Sequence, residues 1–155
     1  MKTLNVLVVD DQSLMRQAMA SFVQFEEDMT VVGQGSNGVE AVDLALELSP
    51  DVILMDLQMP ELNGIEATER ITAQLPDTKI LAVTTFHSED YVIPALKAGA
   101  SGYIVKDSEP EDIISAIRSV SEGNSVLSPS IARLLVDNLA EEPAQPTVNS
   151  AILAD

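Results

Sequence analysis

Five short aliphatic runs, each followed by a stretch of helical period, restrict this chain more than any other feature. They are LNVLVV at 4–9, MTVVGQG at 29–35, DVILM at 51–55, KILAVT at 79–84 and SGYIV at 101–105. Little polar alternation interrupts them, which is the pattern of strands covered on both faces rather than on one. Between the runs, Leu14, Met15, Ala18, Met19 and Phe22 recur at helical spacing, and so do Val39, Ala41, Val42, Ala45 and Leu46. Strand and helix in strict alternation predict a doubly wound parallel α/β sheet with helices on both faces.

The punctuation agrees with the periodicity. Pro50 and Pro76 close the second and third helices, Gly99 follows the fourth, and Gly123-Asn124 follows the fifth. Ser108-Glu109-Pro110-Glu111 reads as a helix start, with Ser108 as N-cap, Pro110 in the first turn and Glu111 as capping-box partner. Ile131, Leu134, Leu135 and Leu139 mark a sixth helix. The chain therefore divides into a domain over 1–125, an additional helix over 126–140, and a proline-containing flexible linker over 141–155. Pro94 falls inside the fourth helix, where an interior proline costs about 3 kcal/mol. That helix is expected to be kinked, short or mobile near Asp90.

With 155 residues and 46% apolar side chains, the chain can build one core. No apolar run is long enough to span a bilayer and the N-terminus has no signal-peptide pattern, so a cytoplasmic location and no membrane partner are expected. The absence of cysteine excludes disulfides, thiolate metal sites and cysteine nucleophiles. Acidic residues outnumber basic ones by 25 to 8, for a net charge of −17, so the chain by itself repels DNA. Most of those carboxylates belong to a solvated surface.

A few do not. In an open parallel sheet the ligand site lies outside the carboxyl ends of the strands, where strand order reverses. Asp10 and Asp11 follow the first strand, Asp56 the third, Thr84 and Thr85 end the fourth, and Lys106 follows the fifth. Singly, each has an ordinary reading as a cap, a strand residue or a solvent-seeking lysine. Together they bring three carboxylates, hydroxyls and one lysine to a single edge. Carboxylates about 4 Å apart repel by several kcal/mol at an effective dielectric near 20, so the group requires a compensating cation. Mg²⁺, which takes oxygen ligands and is commonly held by one or two carboxylates and a phosphoryl group, suits it. The single histidine, His87, reads as an exposed loop residue, so no softer site competes. Asp56 is then placed to act as a nucleophile towards phosphorus, with Lys106 pairing the transferred group.

These residues resemble the receiver domain of bacterial two-component response regulators over about 1–125. The resemblance rests on Asp10-Asp11, the MDLQMP segment with Asp56, Gly64 in LNGIE, Thr84, and GYIVKD with Lys106. It implies a flavodoxin-like, five-stranded sheet in the order 2-1-3-4-5. It also implies Asp56 as phosphoacceptor; Asp11, Asp56 and the Gln58 carbonyl as direct Mg²⁺ ligands, with Asp10 acting through water; Lys106 and the Thr84-Thr85 pair on the phosphoryl group; and Thr84 with Tyr103 as the switch pair. TTFHSEDYVIPALKAGASGYIVKD looks like the NarL/FixJ subfamily, whose members carry a C-terminal LuxR-type helix-turn-helix. The chain therefore looks like the receiver part of a longer transcription regulator, binding DNA only through a domain absent here. A sensor histidine kinase is the implied phosphodonor, and a homodimer the implied product of phosphorylation. Many receivers follow the lysine with a cis-proline; here Asp107 follows Lys106, and a trans bond or a strained local geometry is expected.

Two other classes compete. Haloacid dehalogenase-like phosphatases also use an aspartate after an apolar strand, but they need a carboxylate two positions later, where this chain has Gln58. A nucleotide- or flavin-binding protein needs a glycine-rich phosphate loop after the first strand, where this chain has DDQSLM. A signalling receiver that is not an enzyme is the expectation.

Overall fold

The five aliphatic runs pair side by side, in parallel, in the order second, first, third, fourth, fifth, with a short sixth strand beyond the fifth. The computed structural model describes residues 3–59, 62–84 and 89–141. Along the chain these form β1 (Leu4–Val9), α1 (Ser13–Gln24), β2 (Met29–Gly35), α2 (Gly38–Leu48), β3 (Val52–Met55), α3 (Gly64–Gln74), β4 (Lys79–Thr84), α4 (Glu89–Lys97), β5 (Gly102–Val105), α5 (Pro110–Ser121), β6 (Val126–Leu127) and α6 (Pro129–Glu141). The expected five-strand order is present, and the sheet is one strand wider than expected. Residues 126–127 pair with Gly102 and Tyr103 on the outer edge of β5 before α6 begins. Two residues are too few to show a period, which is why the strand is silent in the sequence.

Because side chains alternate along a strand, the aliphatic runs feed two cores at once. Val6, Val8, Leu54, Val83 and Ile104 point to the side covered by α1 and α5, where Met19, Val23, Ile113 and Ile117 are buried. Leu7, Val9, Ile53, Met55 and Tyr103 point to the other side, against Ala41, Ala45, Ile71, Val92 and Ile131 of α2, α3, α4 and α6. Strands covered on both faces account for the missing polar alternation. The helical stripes are less uniform than the sequence suggests. Met19 is buried and Met15 and Phe22 are packed, yet Leu14 and Phe25 stand 84% and 86% exposed.

Helix ends follow local chemistry. The Asn37 and Asn63 side chains accept from the backbone N–H groups of Glu40 and Glu66, capping α2 and α3. Ser108 is not the cap of α5. Its N–H turns back to the Val105 carbonyl, and Glu109 occupies the cap position without a side-chain bond, ahead of Pro110. At nine residues, α4 is the shortest described helix, with Pro94 in its interior, which agrees with the expectation of a short element. Gly99 follows it at φ +112°, a left-handed conformation that favours glycine. Arg118 on α5 forks onto Asp28 and also reaches Glu26, fastening α5 to the corner between α1 and β2. That pairing holds the Asp28 carboxyl below its usual range. No cis peptide bond occurs among the described residues, so Lys106-Asp107 is trans. None of their helices is long and apolar enough to cross a membrane. Pro60, Thr85, His87 and the linker from 142 onwards lie outside the described residues.

Candidate functional site

Register brings the polar strand ends together. Val9 of β1 lies beside Met55 of β3, so Asp10 and Asp56 leave the sheet as neighbours, and the Asp56 N–H donates to the Val9 carbonyl. On the other side of β4, Thr84 pairs with Val105, and the Lys106 N–H donates to the Thr84 carbonyl. The Lys106 side chain then reaches back across the sheet edge, its Nζ 2.7 Å from Asp10 Oδ2 and 3.6 Å from Asp56 Oδ2. All three are nearly removed from solvent, whereas Asp11 is exposed.

The local supports are equally specific. Asp10 Oδ1 accepts from the Gln12 N–H at 2.8 Å, which fixes its carboxylate at the start of α1. Arg16, one turn into α1, donates to the Asp10 main-chain carbonyl. At the entry to α3 the Gly64 N–H donates to the Leu57 carbonyl, and a Cβ on Gly64 would sit 2.2 Å from the Asp56 carbonyl oxygen. Only glycine lets α3 approach the turn after β3 this closely.

Charge is imperfectly balanced in the crevice. Burial beside Asp10 pushes the Asp56 carboxyl up to about 7, against the opposing pull of Lys106 and the Gln58 N–H. Asp10 Oδ2 is buried and accepts no well-aligned hydrogen bond, although Lys106 Nζ is 2.7 Å away. The ion pair neutralises charge while leaving that oxygen without an aligned donor. Carboxylate oxygens of Asp10, Asp11 and Asp56 all lie within 4.8 Å of one another. An octahedral Mg²⁺ with bonds of about 2.1 Å sets its ligand oxygens about 3 to 4 Å apart, so the donor set fits a small divalent cation with modest adjustment.

The structure thus unites Asp10, Asp11, Asp56 and Lys106, with Thr84 buried at the adjoining strand end. Gln58 flanks them, its N–H 3.4 Å from Asp56 Oδ1 and its side-chain amide donating to the Tyr91 hydroxyl at 2.6 Å. Tyr103 lies fully buried beneath α4, its phenol pushed up by burial and by the charges of Tyr91 and Asp56. It packs inward, not partly outward as an edge aromatic would. Arg16, Asn63 and Tyr91 escaped the sequence reading. Arg16 and Asn63 look like ordinary helix-start residues, and Tyr91 meets Gln58 across 33 residues of chain.

Fold and crevice together define a flavodoxin-like receiver module, with its acidic site at the switch point between β1 and β3. Residues 6–118 match the response regulator receiver domain family. The chain belongs to that family, as the receiver domain of a two-component response regulator. It is 37% identical to the transcriptional regulatory protein LnrK of Bacillus subtilis, over 94% of this chain and 66% of LnrK. It is 43% identical to LiaR of the same organism, over 88% of this chain and 64% of LiaR. It thus spans about two thirds of the length of the curated relatives it matches. Among solved structures, a LuxR-family two-component response regulator from Aurantimonas sp. SI85-9A1 superposes with a TM-score of 0.85 at 31% identity, covering 90% of this chain and all of that one.

Proposed function

We propose that the chain is a phosphorylation-controlled switch that accepts a phosphoryl group on Asp56 from a sensor histidine kinase. The observation that carries this is the burial of Asp56 beside Asp10 with Lys106 Nζ within 3.6 Å, at the switch-point edge of the sheet. Asp10, Asp11, Asp56 and the Gln58 main-chain carbonyl would hold Mg²⁺, which supplies positive charge to offset the carboxylates and an incoming anionic donor. One Asp56 carboxylate oxygen forms the new bond to phosphorus. The bond from phosphorus to the donor imidazole nitrogen breaks, and its electron pair leaves with the imidazole. Lys106, held between two carboxylates, is placed to turn towards the phosphoryl oxygens. In this reading the Thr84 hydroxyl, from the end of the adjoining strand, donates to one of them, and Thr85 stands next in the chain.

The added charge of roughly −1.5 to −2 gives Thr84 a reason to move. Tyr103, one strand over and in the same core as α4, is the side chain that movement would displace. Dimerisation through the repacked face and control of a C-terminal DNA-binding domain in the cytoplasm complete the reading. The acceptor is stoichiometric, not a turnover enzyme: position 58, where a phosphatase of the rival class needs a general acid, holds a glutamine engaged with Tyr91. Incubation with acetyl phosphate and Mg²⁺ should transfer at most one phosphoryl group per chain. Rapid multiple turnover of phosphomonoesters would contradict the proposal.

A further inference from the structure

The bond between Gln58 and Tyr91 ties the turn after β3 to a helix that shares no backbone ladder with it. Gln58 Nε2 donates to the Tyr91 hydroxyl at 2.6 Å, a short contact for a neutral pair, and both side chains are partly buried. Two residues earlier is Asp56, and the Gln58 N–H stands 3.4 Å from Asp56 Oδ1. The turn is thus held from below by the Gly64 N–H on the Leu57 carbonyl, and from the side by Tyr91. Tyr91 is itself anchored. Val92 and Ala95 of the same helix are fully buried in the core that contains Tyr103. Tyr91 also lines the crevice of about 410 Å³ that opens beside Asp11, Gln58 and Asn63.

We infer that Tyr91 is a positioning residue for the phosphoacceptor turn: its hydroxyl, through Gln58, holds the turn in the register that aims Asp56. This rests on the reading of Asp56 as phosphoacceptor. A group that aims the nucleophile affects the rate of the bound complex rather than donor binding. Loss of one neutral hydrogen bond corresponds to about fivefold.

The test is the rate of labelling by acetyl phosphate with Mg²⁺, followed against donor concentration, in the full chain and in Tyr91→Phe, Gln58→Ala and the double variant. Each single change should lower the limiting rate about fivefold, while the half-saturating donor concentration stays within about twofold. The double variant should be no slower than either single one, because both remove the same bond. Multiplying losses, an unchanged limiting rate in Tyr91→Phe, or a change confined to half-saturation would overturn the inference. Wild-type chain that takes up no label, or that labels equally as Asp56→Asn, would remove the underlying reading and this one with it. Normal labelling at Asp56 with a wild-type rate in Tyr91→Phe would remove only the role of Tyr91.

Discussion

Asp56 and Lys106 are opposite halves of one electrostatic compromise, and they predict opposite mutational signs. The Asp56 carboxyl titrates near 7 in the fold against about 3.8 unfolded. Between about pH 4 and 7 the native state therefore keeps a proton that the unfolded chain releases, so stability falls as pH rises through that window. Without divalent cations, Asp56→Asn should raise Tm by about 5 °C near pH 8, and the gain should shrink towards pH 5. Thermal melts across that range check it; a gain that grows on acidification would reverse the argument. Lys106→Met removes the ammonium from two buried carboxylates and should destabilise by about 3 kcal/mol or more. Combining it with Asp56→Asn should recover part of the loss, which denaturant titration of the four proteins would show.

Among the elements, β6 and α6 are the addition that the strand-helix alternation does not demand. Ser128 joins them to β5: its N–H donates to the Tyr103 carbonyl, and its Oγ accepts from the Val105 N–H, one residue before Lys106. Ile131 follows into the core beside α4, where it is fully buried. Ile131→Ala should cost about 2–4 kcal/mol through lost burial and the cavity left behind. Ser128→Ala should cost about 1–2 kcal/mol, because a largely shielded N–H loses its partner. Hydrogen exchange should localise the second effect to β5 and β6; protection unchanged there would show the serine bond to be dispensable. A helix that merely trailed from the domain would tolerate both substitutions.

At the scale of the whole molecule, what could be read in advance was whatever repeats or converges. Strands β1, β2 and β4 fall on the aliphatic runs residue for residue, because burial on both faces leaves an unbroken apolar signature. The site was legible through position: Asp10, Asp11, Asp56, Thr84 and Lys106 each stand where a strand ends, and a parallel sheet gathers such ends at one edge. Pairings between distant segments left no such trace. Gln58 with Tyr91, Arg118 with Glu26 and Asp28, and Val126–Leu127 on β5 depend on packing that no local pattern records. Ser108 is a related case: it belongs to the turn that leaves β5, its N–H bonded to the Val105 carbonyl, and Glu109 stands at the cap position of α5 instead. On the proposed function, this edge of the sheet is a phosphoacceptor site built around one carboxylate. Peptide mass mapping after acetyl phosphate and Mg²⁺ tests it most directly. One phosphoryl group on the peptide containing Asp56, dependent on Mg²⁺ and absent in Asp56→Asn, is the expected result; label on another peptide, or label that survives the substitution, would refute a phosphoacceptor at Asp56.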